Sequence, residues 1–222
     1  MPRLPKSTLA ELEKLLITEI PSAVKAAQIK EPVYCARIWY NGTDSPEDAV
    51  PWLMLVKESA RQEFLTKHGD EQAPFYVWGA DEISYPRQAY EVHVENERLG
   101  TLYAKWYEYL CDAEDDEELQ PFREMVQRVS RTLNDLDWNK LAAVTDDFVV
   151  VPADGSHTFC DDLGDLLASV SEEQLELLQS RKLIPAMDQD FDDEDFDEDD
   201  LDDEEEDFDS DDDDEEDDDD DE

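Results

Sequence analysis

Basic residues are scarce in this chain: 18 Lys and Arg stand against 64 Asp and Glu among 222 residues, a formal net charge of −46. Affinity for a phosphate backbone rests on Lys and Arg contacts, so the balance excludes nucleic acid as a direct ligand. Anionic membrane surfaces are disfavoured by the same repulsion. Cysteine is sparse too. Cys35, Cys111 and Cys160 are odd in number and show no paired spacing, which fits a reducing, cytoplasmic compartment better than a disulfide scaffold. No run reaches the roughly 20 apolar residues of a bilayer span. The opening MPRLPKSTLAELEK lacks the apolar stretch of a secretion signal. The Asn41-Gly-Thr43 sequon is then without meaning.

Motifs of chemistry are missing as well. The chain holds no G-x-G-x-x-G, no G-x-x-x-x-G-K-[ST], no H-E-x-x-H and no G-x-S-x-G. His157, Cys160, Asp161 and Asp162 form the one compact set of metal-ligand types, but His-x-x-Cys is half of a zinc pattern and the other half is absent. An enzyme with an unrecognised site near His157 and Cys160 stays as a minor alternative. Cys35 lies in an apolar strand, where a thiol is inert packing. Acidic pairs such as Asp81/Glu82 and Asp146/Asp147 are expected by chance in so acidic a chain. No catalytic, cofactor or metal residues are assigned.

What is present divides in two. Residues 188–222 hold 29 acids, no Lys or Arg, and only Gln189, Phe191, Phe196, Leu201, Phe208 and Ser210 besides. Such a segment cannot bury enough surface to offset chain entropy, so a disordered Asp/Glu-rich tail is expected. Residues 1–187 keep the other 35 acids and all 18 basic residues, a net of −17, with all five Trp and eight Tyr. They read as one globular domain.

Along that domain, Thr8 and Glu11 form a capping-box pattern ahead of a helix that Pro21 should stop or kink. PVYCARIWY (32–40) and VPWLMLVK (50–57) read as strands, followed by a short polar helix through ESARQEFLTKH. PFYVWG (74–79), bounded by Pro74 and Gly79, reads as a third strand. AYEVHVE (89–95) alternates as a strand. Leu99, Leu102, Tyr103, Trp106, Tyr109 and Leu110 recur at helical spacing, and an acidic linker (112–118) leads to a further amphipathic helix. DFVVVPADG (147–155) is a buried strand, and Ser171 caps a last helix ending near Pro185. The expectation is a single α+β (mixed α/β) domain with a central mixed sheet flanked by helices.

Two binding features are candidates. Phe191, Phe196, Leu201 and Phe208 recur every five to seven residues within the acid, and solubility alone requires no phenylalanine. A carboxylate strip with spaced apolar anchors suits wrapping a basic protein. On the body, Tyr107 falls off the Trp106 stripe and, with Trp78, Asp81 and Glu82, forms a candidate protein-binding patch. Ser210, followed by four Asp, matches the preference of acidophilic kinases.

The order of elements, with LNDLDWNKLAAVTDDFVVVPADGS (133–156) followed by DDLGDLLASVSEEQLELLQSRKLIP (161–185), resembles a family of uncharacterised bacterial α/β domains found among the immunity proteins of polymorphic-toxin systems. The acidic tail departs from that pattern. The strong net charge disfavours self-association, so a monomer is expected. The resemblance implies a non-enzymatic module that neutralises one basic protein partner, such as a nuclease toxin or another nucleic-acid-binding protein. The alternative is an acidic chaperone for basic nucleic-acid-binding proteins, acting mainly through the tail.

Overall fold

A computed structural model of the chain describes residues 5–41, 52–79, 83–111, 116–154 and 159–184. All of them belong to the unit Met1–Ala186. The elements are α1 (Lys6–Ala27), β1 (Val33–Asn41), β2 (Trp52–Lys57), α2 (Glu58–Trp78), β3 (Ala89–His93), α3 (Glu97–Cys111), α4 (Asp116–Asn134), a single 3₁₀ turn (Trp138–Lys140), β4 (Val144–Asp154), α5 (Phe159–Ser169) and α6 (Glu172–Ser180). Four strands form one sheet in the order β3-β2-β1-β4. β1 pairs antiparallel with β2 and parallel with β4, and β2 pairs antiparallel with β3. The expected mixed sheet flanked by helices is what the chain forms.

Helices cover both faces of the sheet. On one, α1, α3 and α4 bury Leu16, Ile20, Leu99, Trp106, Phe122 and Val129 against Ala36, Ile38, Leu53 and Val150. On the other, α2, α5 and α6 pack Phe64, Trp78, Leu166 and Leu178 against Tyr34, Met54, Val149 and Val151. β1 is apolar on both faces for this reason. A bulge between Val33 and Cys35 breaks its alternation, so Tyr34 and Cys35 both enter the second core.

Several expectations about local structure are revised. The segment 74–79 is not a strand: Ala73, Pro74, Phe75, Tyr76, Val77 and Trp78 form the last turns of α2, beyond a break at Gly69, whose φ of 70° only glycine adopts freely. A short apolar run cannot be assigned by periodicity alone, and what fixes this one is distant. Tyr34 Oη donates to Val77 O at 2.7 Å, and Arg37 Nη2 donates to Val77 O at 3.3 Å and Trp78 O at 2.5 Å. Those β1 side chains satisfy the carbonyls that a helix end leaves open, and the buried Arg37 cation faces the negative end of the helix.

Pro21 does not end α1. The helix runs on to Ala27, because Ile20 and Val24 remain on the buried stripe. Its cap is also not the Thr8/Glu11 box: Pro5 holds that place, and Thr8 N donates to Pro5 O at 2.8 Å. Glu11 instead pairs with both Nε and Nη2 of Arg98 at 2.7 Å. The acidic stretch 112–118 is cut short as a linker, since α4 begins at Asp116. Ser171 does cap α6, in a full capping box with Gln174, and that helix ends at Ser180.

Candidate functional site

A charged cleft among the described residues lies where β1 and β4 begin. β1 advances from Val33 to Cys35 while β4 advances from Val144 to Val149, so Thr145, Asp146 and Asp147 occupy an irregular stretch of β4. Such a bulge re-aims side chains. Here it presents an Asp pair to the first turn of α2 and to the residue after α6. The result is an open cleft of about 540 Å³, with Glu58, Arg61, Asp146, Asp147 and Arg181 on its polar side. Pro32, Leu65, Val144 and Leu183 supply an apolar wall.

Asp147 is the centre of this arrangement. Its side chain is fully buried, and its Oδ2 accepts from Arg61 Nη1 at 2.9 Å and from Arg181 Nη1 at 2.7 Å. Arg181 also forks onto Asp146, Nη1 to Oδ1 at 2.8 Å and Nη2 to Oδ2 at 2.6 Å. Arg61 Nη2 lies 2.6 Å from Glu58 Oε2, and the guanidinium carbon sits 5.0 Å over the ring of Tyr34. Burial alone would raise the Asp147 pKa, but the hydrogen bonds and charge of Arg61, joined by Arg181, outweigh it and hold it below its ordinary value. Thr145 adds to that lowering, although its Oγ1 does not meet hydrogen-bond geometry. Arg181 holds Asp146 low as well. Both carboxyls are therefore anions near neutrality, and neither is poised to give up a proton as a general acid.

The residues singled out in the sequence fare differently. Trp78 is only 2 % exposed and Tyr107 8 %, so neither offers a surface. They belong to the cores on opposite faces of the sheet, which separates them. The correction has a simple cause: Leu99, Leu102, Tyr103, Trp106 and Tyr107 make one continuous helical stripe, and Tyr107 sits on it. Trp78 turns its Nε1 inward to donate to Leu183 O at 2.6 Å. Asp81, Glu82, His157, Phe191, Phe196, Leu201, Phe208 and Ser210 lie outside the described residues, as does the Cys160 side chain. Cys35 is fully buried, and burial pushes its thiol pKa up. Among the described residues no three His, Cys, Asp or Glu side chains converge as a metal site, and no helix is long and apolar enough to cross a membrane.

Sequence reasoning passed over Glu58, Arg61 and Arg181, and treated Asp146/Asp147 as a chance pair. One signal was available: an acid pair directly before the buried run FVVV must find cations when the strand folds. No family model, curated protein or solved structure matches the chain.

Proposed function

We propose that this chain is a non-enzymatic, acidic binding protein that neutralises or sequesters a basic protein partner, in the manner of an immunity protein. One observation carries the reading. Each of the eight described arginines is already engaged by a bond within the chain. Arg37 and Arg131 donate to backbone carbonyls, and Arg61, Arg87, Arg98, Arg123, Arg128 and Arg181 bond carboxylates. The described arginines are spent on cohesion, and the net charge of 1–187 is acidic. A surface of that kind attracts basic proteins from a distance and repels nucleic acid. The tail adds 29 further acids with four apolar anchors, Phe191, Phe196, Leu201 and Phe208.

Affinity capture with full-length protein, followed by reconstitution with the purified partner, tests the reading. The captured protein should be basic, and its affinity should fall steeply with salt as the Debye length shortens to about 8 Å at physiological ionic strength. Recovery of no basic protein, or affinity indifferent to salt, would overturn it. The same assay on residues 1–187 separates an immunity-type partner held by the body from a chaperone acting through the tail.

A further inference from the structure

We infer that the cleft between the start of α2, the bulge of β4 and Arg181 is the place on the body that receives a lysine or arginine side chain of the basic partner. The inference rests on the reading above and names a site for it.

Three carboxylates, Glu58, Asp146 and Asp147, meet two guanidiniums, Arg61 and Arg181, in this cleft, which leaves one negative charge unmatched. The hydrogen bonds leave a carboxylate oxygen of the cluster without a donor. Both arginines donate to Oδ2 of Asp147, while Oδ1 of the same fully buried side chain has no hydrogen-bond partner among the described residues. A buried carboxylate oxygen left without a donor is costly, and a charged donor is the strongest group that can satisfy it. Asp146 is 75 % exposed at the rim, so it is the carboxylate an incoming cation meets first. Leu65, Val144 and Leu183 give the wall against which a long aliphatic stem lies while its charged head is bonded.

One orphan group speaks for a competing ligand. Arg61 Nε is buried without an acceptor, and an anion would suit it. The excess negative charge weighs against that occupant, and the experiment includes it.

The test uses full-length protein, isotope-labelled for amide NMR at low salt. The probes are a synthetic peptide of alternating Arg and Gly, the same peptide with Lys for Arg, and inorganic phosphate. Peptide should shift the amides of Gln62, Thr145, Asp146 and Asp147, and phosphate should leave them in place. Glu58→Gln, which keeps Asp147 paired with both arginines, should weaken the peptide about five-fold, the worth of one charge contact in water. Asp146→Asn serves the same purpose if Glu58→Gln fails to give a folded spectrum. The double variant Glu172→Gln/Glu173→Gln removes two exposed charges from α6 and should change affinity far less. Peptide that binds without moving the cleft amides, equal losses in the α6 control, or a response to phosphate in place of peptide would each overturn the site while leaving the proposed function standing. Failure of both peptides to bind anywhere on the chain would overturn both.

Discussion

Asn134 serves the free edge of β4 as a neighbouring strand would: its Nδ2 donates to Val150 O at 2.9 Å, and its Oδ1 accepts from Val150 N at 2.7 Å. The same Nδ2 donates to Ser169 O at 2.9 Å, tying the end of α4 to the end of α5. An open sheet edge invites pairing with other chains, and covering it with helix side chains removes the invitation. Around this point α4 and α5 are joined further by Asp165, whose buried Oδ1 accepts from Arg123 Nε and Gln127 Nε2, each at 2.8 Å.

Replacing Asn134 with Ala leaves both backbone groups of Val150 and the carbonyl of Ser169 without that partner. The expected loss in unfolding free energy is about 2–3 kcal/mol, since an unsatisfied partly buried group costs more than the net worth of its bond. Urea unfolding measures it. Hydrogen exchange gives the local check, because the Val150 amide should lose protection in Asn134→Ala and keep much of it in Asn134→Asp, which retains an acceptor oxygen. An Asn134→Ala variant as stable as the parent would mean that water replaces the asparagine at no cost.

The way these contacts arise explains what could be read from the chain alone. Strands β1, β2 and β4 announce themselves because a two-faced core demands apolar residues at nearly every position, as in VYCARIWY and FVVV. The Ser171 box is likewise local, since cap and partner are three residues apart. The second half of α2 was illegible because its C-terminal carbonyls are satisfied by Tyr34 and Arg37, some forty positions earlier. The cleft was illegible for the same reason: Arg61, Asp147 and Arg181 converge from three separate elements. The acid pair before FVVV signals a need for cations, but nothing near it in the chain says which cations supply it. Tyr107 is a different case, because the stripe from Leu99 to Tyr107 was in the sequence and was assigned one residue too narrowly.

Trp78 and Leu183 make a second long-range tie, between the end of α2 and the segment after α6. Leu183 and Ile184 are buried, whereas Arg181 and Lys182 directly before them are exposed. Trp78→Phe keeps most of the ring volume and removes the indole donor. It should cost about 1–2 kcal/mol, the penalty for leaving the buried Leu183 carbonyl unpaired. Trypsin provides the sharper readout: cleavage after Arg181 and Lys182 should accelerate in Trp78→Phe by more than the change in global stability accounts for. Cleavage rates that merely follow the urea midpoints would show that this segment has no local opening of its own.

Cys35 should be inert in the native protein. Its side chain is fully buried in the centre of the sheet, and burial raises its thiol pKa, with Arg37 opposing the effect. The thiolate is the reactive species, so both access and ionisation are denied. Iodoacetamide at neutral pH should leave Cys35 unmodified in native protein and alkylate it fully in urea, as peptide mass spectrometry would resolve. Native labelling of Cys35 at the unfolded rate would contradict its place in the core.

Asp147 makes the stability of the fold depend on pH in a defined direction. Its folded-state pKa lies below the ordinary value of 3.8, with the penalty of burial outweighed by Arg61 and then Arg181. Between the folded and unfolded values the native chain binds fewer protons than the unfolded one, so unfolding free energy rises with pH through that window. The contribution is fully present above 3.8 and disappears as pH falls through the folded value. Asp147→Asn removes it at every pH and leaves Arg61, with its side chain 6 % exposed, to Glu58 alone. Breaking such a buried pair costs about 3–5 kcal/mol near neutrality. The difference between parent and variant should be constant from pH 5 to 7 and shrink as the pH is lowered below 3.8. Glu11, Glu31, Glu63 and Asp146 also have lowered pKa values, so the variant should retain some acid sensitivity of its own. Urea unfolding of both proteins across this range tests the claim. Parallel stability curves that keep their separation down to the acid limit would show that Asp147 acts through packing and not through its charge.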